Sequence, residues 1–471
     1  MRIKVFHSFI LVIFMITCLS AQETTGNRKT ISYDNYIVEI EKSLPELKSN
    51  EMDILSAENR VKSAKAGSDI SLNAGGTVYS QNNYSGYTDA GDAKGYNYYA
   101  GLSKKFSSTG TNLSTTYNYS QGDYSSLPYG AEDTSAYSPS LTVKVTQPLL
   151  YNFLGKVDSY SEDNAKMQLE IAKTRLGQNN KSVLNSYRKL YFQWVMYSNI
   201  VKNLDEAINN LNILKGQIKK KVDAGLSDND DYQNSVASVL LYEHQRTEYR
   251  TALKNIENRL RVYIDINTIG TPDEKAFDEY YEKVIAAEMS EVSFKNTTSA
   301  QIMDLTIKNY AWSKGVYENR LLPELNLFGA VTKKELSQSQ TYGMKDTDYS
   351  VGFEFKYSLE NNSAESSLKD IDIKLKALDY EYRAAENSYR KMLLSYIDSV
   401  KGISSQIDGK EKTLKARELQ LITEKKKYSQ ARLALAYVIT TENNITSERT
   451  NIISLKYQMI GYYIDYMDLV K

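Results

Sequence analysis

Two textures alternate along the chain. Within residues 68–150 apolar or small side chains take every second position. Ile70, Leu72, Ala74, Gly76 and Val78 alternate with Ser71, Asn73, Gly75 and Thr77. Leu113, Thr115, Tyr117 and Tyr119 do so against Asn112, Ser114, Thr116 and Asn118, and Leu141, Val143 and Val145 against Thr142, Lys144 and Thr146. Neighbouring side chains on a strand point to opposite faces, so this rhythm predicts strands with one apolar and one polar face. Each run is about ten residues, the length a tilted strand needs to cross a bilayer. Residues 95–106 and 112–121, joined by Ser107-Ser108-Thr109-Gly110-Thr111, bring the strand-like segments before Leu150 to four. Residues 89–94 and 122–136 are turn-rich and predict loops.

The second texture is helical. Residues 33–65 predict one helix with Pro45 as its only proline. In 156–222, Leu204, Ile208, Leu211, Ile218 and Val222 keep a heptad-like rhythm, and an unbroken helix of that length is roughly 100 Å long. After a break at 225–230, residues 231–264 place Leu253, Ile256, Leu260 and Ile264 on one helical face. The order then recurs. Residues 293–320 predict a helix, and Leu325, Leu327, Gly329 and Val331 alternate along a strand. A polar loop follows at 337–347. Next, Tyr349, Val351, Phe353, Phe355 and Tyr357 alternate with Ser350, Gly352, Glu354 and Lys356. From 361 to 468 the chain is helical except near 429–433. Leu393, Val400, Ile407, Leu414, Leu421 and Tyr428 recur at sevens. Offset from them runs a second row of Leu375, Tyr382, Tyr389, Tyr396 and Ile403, which supplies the other core slot of a heptad seam. We therefore divide the chain into a signal peptide (1–21) and two repeats, 22–271 and 272–471, beginning near Thr30 and Pro272. The first holds strands at about 68–150 and a helical hairpin at 156–264, the second strands at 324–359 and a hairpin at 361–468.

A few strands with an apolar face cannot sit in lipid alone, because their edges leave backbone donors and acceptors unmet. Other copies of the chain would have to close them. The fold class expected is an α+β membrane protein, a transmembrane β-barrel continued by a long periplasmic α-helical coiled-coil barrel. Val143, Phe353 and Phe355 would face lipid, while Lys144, Glu354 and Lys356 would face a wet lumen. The competing architecture is a soluble β-sandwich with one polar face, which rarely carries helices of this length. There are 39 tyrosines. Tyr79, Tyr84, Tyr98, Tyr99, Tyr117, Tyr119, Tyr349 and Tyr357 fall in or beside strands, as an interfacial aromatic girdle requires.

Arg2, Lys4, the apolar run 9–16 and Ala21 before Gln22 read as a secretory signal peptide. The only cysteine, Cys18, lies inside it, either as part of a cleaved signal or as a lipid-attachment site. Cleavage after Ala21 leaves no thiol for a disulfide, a metal site or a nucleophile. Of the two histidines, His7 and His244, only the second survives cleavage, which argues against a histidine-based triad or a zinc site. Basic and acidic residues number 58 each, so nothing electrostatic favours nucleic acid. No segment after the signal approaches 18 consecutive apolar residues. No catalytic residue, cofactor or metal is expected, and the chain is not read as an enzyme.

This order of elements resembles the TolC family of outer-membrane efflux proteins, and the resemblance covers essentially the whole chain after the signal. Arg320-Leu321-Leu322-Pro323-Glu324-Leu325 is similar to that family's passage from a helix into a strand, and Thr146-Gln147-Pro148-Leu149-Leu150 to its passage back. Tyr357-Ser358-Leu359-Glu360-Asn361 holds the second such place, with Ser358 where proline is usual. The resemblance implies a homotrimer in the outer membrane of a Gram-negative bacterium, with its helical part in the periplasm. Each protomer usually gives four strands to a barrel of twelve, from which the extra hairpin here departs. It also implies helix-turn-helix tips that meet a periplasmic adaptor protein. Val222-Asp223-Ala224-Gly225-Leu226, with Asp231 opening the next helix, matches the first tip. Tyr428-Ser429-Gln430-Ala431-Arg432 matches the second, with Ala431 in place of glycine. Where some members carry pore-closing aspartates, this chain has Tyr437 and Thr440. The function implied is a passive exit duct for tripartite efflux or type I secretion, working with an adaptor and an inner-membrane transporter. The alternatives are a non-conducting coiled-coil envelope protein and an outer-membrane barrel enzyme.

Overall fold

The computed structural model describes residues 30–81, 84–85, 88–89, 93–124, 134–264, 270–338, 341–430 and 432–470. The expected signal, with His7 and Cys18, and the tip residue Ala431 lie outside the described residues.

The chain begins with β1 (Thr30–Ile31), α1 (Tyr33–Ser43) and α2 (Pro45–Lys65). Residues 33–65 are therefore two helices, where the sequence predicts one. Ser32 caps α1, its hydroxyl accepting from the Asn35 N–H at 3.4 Å. The Pro45 ring disfavours helical backbone at the residue before it, and Leu44 is extended (ψ 115°). Proline then serves as the first residue of α2, where its missing N–H costs nothing.

Next come β2 (Ser71–Gln81), the short β3 (Tyr84–Ser85) and β4 (Thr88–Asp89), then β5 (Ala93–Phe106), β6 (Thr111–Tyr124) and β7 (Thr134–Pro148). The extra hairpin is thus real: four long strands precede the first long helix. That helix, α3 (Tyr160–Asp223), has 64 residues, about 96 Å at 1.5 Å each. α4 (Asn229–Leu260) returns along it, ending short of the predicted 264.

The second half runs β8 (Thr271–Pro272), α5 (Glu274–Ala286), α6 (Thr298–Arg320), β9 (Glu324–Gln338), β10 (Thr341–Lys356), α7 (Asn362–Ser429) and α8 (Leu435–Val470). Most of 337–347, expected as a loop, is strand, because ladder hydrogen bonds join backbones and need no apolar side chain. The helix predicted from 293 begins at Thr298, where the Thr297 hydroxyl accepts from the Ala300 N–H at 3.2 Å. α5 is an element the periodicity reading lacks. Its signals are the Asp273 cap, 3.0 Å from the Lys275 N–H, and Phe277, Tyr281 and Val284 buried on one face.

The six long strands form one antiparallel sheet in the order β10-β9-β7-β6-β5-β2. β1 and β8 pair in parallel, Ile31 opposite Pro272. Near the sheet the helices pack side by side in the order α2-α3-α6-α7, and α4-α3-α8-α7 pack in sequence as well. The largest core mixes aliphatic and aromatic side chains. Tyr36 of α1, Tyr191, Phe192 and Trp194 of α3 and Phe277 of α5 are all buried there, with Met459 and Ile460 of α8. Among the described residues no helix is long and apolar enough to cross a membrane.

Candidate functional site

Residues opposite each other on a ladder share a face, so the register assigns every strand position to one side of the sheet. Leu72, Leu102, Thr115, Val143, Val331 and Tyr349 form one row. The residues just before or after them form a row on the other face: Ser71, Ser103, Ser114, Lys144, Ala330 and Ser350. Glu354 pairs with Asn326 and Lys356 with Glu324, on the same polar face as Lys144. The structure thus brings Lys144, Glu354 and Lys356 to one side and Val143, Phe353 and Phe355 to the other. On the polar face Lys334 and Asp348 form an ion pair at 2.6 Å and Lys356 and Glu324 one at 3.7 Å. The Lys144 ammonium lies 4.6 Å from the Phe328 ring centre.

The apolar belt crosses the sheet obliquely. On β10 it occupies Tyr349, Val351, Phe353 and Phe355; on β5 it occupies Leu102, Ala100, Tyr98 and Tyr96. Its centre moves from Gly352 to Tyr99, and Tyr99 stands level with Asp346 through Asn118, Ser140 and Lys334. That is a climb of about six residues over four strand-to-strand steps. With about 3.3 Å per residue and about 4.8 Å between strands, the strands tilt about 45° from the normal to the belt. Strands of transmembrane β-barrels tilt by about this much. Charges on this face sit just outside the belt, Lys104 on one side of it and Lys333, Glu335 and Lys345 on the other.

The expected tyrosine girdle divides. Tyr98, Tyr117, Tyr119 and Tyr349 lie on the apolar face, and Tyr96 and Tyr137 join them from positions the sequence reading passed over. Near the end remote from the helices, the Tyr96 ring is 5.1 Å from Tyr98 and 6.3 Å from Tyr119. Tyr79 and Tyr99 are on the polar face, which corrects their assignment; Tyr99 covers Gly75, its ring 2.8 Å from where a Cβ would stand. Adjacent residues such as Tyr98 and Tyr99 cannot share a strand face, so strict alternation carried this signal. Tyr357 follows the end of β10, and the Tyr84 side chain lies outside the described residues.

Both strand-helix motifs meet at the other end of the sheet. The Leu149 N–H donates to the Leu325 carbonyl at 2.8 Å and the Tyr151 N–H to the Pro323 carbonyl at 3.1 Å. Asn152, in the left-handed region (φ 61°), accepts on its side-chain oxygen from the Val157 and Asp158 N–H groups at 2.9 and 3.0 Å. The start of α3 is thereby fixed to the sheet.

At the far end of α3, Gly225 (φ 69°) reverses the chain. The Gly225 N–H bonds the Val222 carbonyl at 2.9 Å and the Leu226 N–H the Lys221 carbonyl at 2.8 Å, a Schellman motif with Ala224 as its C-cap. Leu226 is 77% exposed. Asp231 does not cap α4: Asp228 holds that position, and Asp231, in the first turn, accepts from the Ser227 hydroxyl at 2.8 Å. The second tip repeats the long bond, from the Arg432 N–H to the Lys427 carbonyl at 2.9 Å. Tyr428 is half-buried against a small cluster of Leu214, Ile218, Leu435, Val438 and Ile439, with the Lys221 ammonium 4.0 Å over its ring. Tyr437 (60% exposed) and Thr440 share the opposite, open face of α8. His244 is exposed on α4 and lies 3.3 Å from Glu248.

No protein-family model matches the chain, and no curated protein matches it. The fold is that of outer-membrane channel proteins of the TolC type. Similar solved structures include the outer membrane protein VceC from Vibrio cholerae, at 12% identity and a TM-score of 0.63 over 93% of this chain and 96% of that one. The CmeC outer membrane channel of Campylobacter jejuni matches at 11% identity and 0.62, over 100% and 93%. The open state of the MtrE outer membrane channel of Neisseria gonorrhoeae matches at 11% and 0.62, over 93% and 88%.

Proposed function

We propose that this chain is one protomer of a homotrimeric, passive exit duct in the outer membrane of a Gram-negative bacterium, with two structural repeats per chain and its helices in the periplasm. The observation that carries this reading is the oblique apolar belt, on a sheet with open edges, backed by a polar face and continued by long helices. Lys144, Glu354 and Lys356 then line the lumen, and Val143, Phe353 and Phe355 meet outer-membrane lipid. Ala224, Gly225, Leu226, Asp231, Tyr428, Ala431 and Arg432 form the tips that meet a periplasmic adaptor protein. Leu226 supports that role by its exposure, and Tyr428 contributes by shaping the tip beneath it. Tyr437 and Thr440 stand at the pore constriction. Transport is driven by an inner-membrane transporter, in efflux or in type I secretion, and the duct carries out no chemistry of its own.

Planar-bilayer recording of the detergent-purified oligomer tests this. The expected result is a steady ionic current that rises in Tyr437→Ala, because removing the ring widens the closed end. A folded oligomer that stays silent in both forms overturns the duct and leaves a structural coiled-coil protein.

A further inference from the structure

We propose that β2 of one copy pairs with β10 of the next, so that each chain gives six strands and three copies close a barrel of eighteen. The proposal rests on the duct reading and departs from the twelve strands that the resemblance implies.

β2 and β10 are the two edges of the sheet, 11 and 16 residues long. Val78 on the first and Val351 on the second are 81% and 82% exposed, as apolar side chains that lack a neighbour. An open edge in lipid leaves its N–H and C=O groups unmet, so it must be paired. All neighbours in the sheet are antiparallel, so the first and last of six strands run in opposite directions. A head-to-tail contact between copies therefore adds one more antiparallel ladder, and rotation closes it into a ring.

The belt fixes where the edges meet. Continuing its climb from Tyr99 on β5 places its centre on β2 near Gly76 and Thr77, and one further step sets the belt of the next β10 beside it. The apolar faces stay continuous only if Val78 stands opposite the partner's Val351 or the partner's Phe353.

Width favours the same count. Four helices, α2, α3, α6 and α7, stand beside each sheet. At about 10 Å per helix they span an arc of about 40 Å. Six strands about 4.8 Å apart and tilted about 45° also span about 40 Å, whereas four span about 27 Å. The β2–β5 hairpin thus gives the strand wall and the helical wall one circumference.

Paired cysteines in the full chain, whose only native cysteine is Cys18, test this. Val78→Cys/Val351→Cys and Val78→Cys/Phe353→Cys oligomers are oxidised in membranes and run on non-reducing gels. Thr77→Cys/Val351→Cys, with its thiols on opposite faces, is the control. One of the first two should give a covalent three-chain product that reduces to single chains, and the control none. Linkage in Tyr117→Cys/Val351→Cys instead would mean that β10 pairs with β6 and the hairpin lies outside the wall, which overturns the proposal. A two-chain ring, or no linkage by either pair in oligomers that still conduct, also overturns it while leaving the duct standing. A folded oligomer that is silent both as wild type and as Tyr437→Ala, together with unlinked variants, overturns both.

Discussion

The Tyr191 hydroxyl donates to the Ile31 carbonyl at 3.0 Å, across 160 residues of sequence. The same carbonyl accepts from the Asp273 N–H at 3.1 Å, so one oxygen ties the middle of α3 to both short strands. Tyr191 is fully buried among Tyr33, Tyr36, Phe192 and Trp194. Tyr191→Phe keeps the ring and leaves Ile31 one donor, so it should cost about 1 kcal/mol. Tyr191→Ala adds a cavity and should cost about 3–5 kcal/mol. Denaturant midpoints of the helical circular-dichroism signal, at fixed protein concentration, check the ranking. Equal losses would mean that the hydrogen bond, not the packing, dominates.

Alkaline pH should loosen the same region. Burial raises the phenol pKa of Tyr33, Tyr36, Tyr191 and Tyr280 above the ordinary value near 10, and that of Tyr281 to about 12. A group whose pKa is higher when folded stabilises the fold fully below its unfolded pKa, and loses that contribution as pH rises through the folded value. The thermal midpoint should therefore hold to about pH 9.5 and fall steadily between pH 10 and 12. Tyr281→Phe should flatten part of that fall. If the fall is as steep in Tyr281→Phe as in the wild type, the fold does not hold that ring in its neutral form.

The two faces of β10 should respond unequally to charge. Val351 lies in the middle of the belt, and Ser350, its chain neighbour, faces the other way. A lysine at the lipid face near the bilayer centre costs about 2–4 kcal/mol. On a wet face it should stay within about 0.5 kcal/mol. Urea unfolding in lipid vesicles should therefore separate Val351→Lys from Ser350→Lys. Equal midpoints would remove the distinction between the faces.

Where the strands lie, and that Lys144, Glu354 and Lys356 share one face of the sheet, was legible because period-two alternation follows from strand geometry itself. The heptad rows were legible for a similar reason: Tyr389, Leu393, Val400, Ile403 and Ile407 are buried as their spacing implies. What the sequence hid was set by backbone or by distant contacts. Residues 345–347 are polar yet paired, because a ladder is made of amides. α5 is short, and its three apolar anchors gain meaning only against α3 and α8. Asp231 is expected to open the second helix of the first tip, yet that helix starts at Asn229 with Asp228 at its N-cap. The β2–β10 edges could not be read at all, since which strands end a sheet depends on pairings far apart in sequence.

Two glycines with nearly the same φ should separate strain from clash. Gly155 (φ 66°) and Gly225 (φ 69°) both lie in the left-handed region, which costs another residue roughly 1–2 kcal/mol. At Gly225 a Cβ would meet nothing within 4 Å, so Gly225→Ala should lose only that backbone term. Gly225→Asn should lose less, because asparagine tolerates this conformation best among non-glycine residues. At Gly155 a Cβ would lie 1.7 Å from the Ser107 carbonyl oxygen, inside the turn that joins β5 to β6. That oxygen is backbone and cannot swing aside, so Gly155→Ala must displace the turn or the start of α3. We expect it to lower assembly into the membrane several-fold and to cost more than about 4 kcal/mol, the range reserved for a defined steric failure. Heat-resistant oligomer on gels and denaturant midpoints measure both. A Gly155→Ala protein as stable as Gly225→Ala would mean that the contact between the β5–β6 turn and residue 155 is not held in the assembled protein.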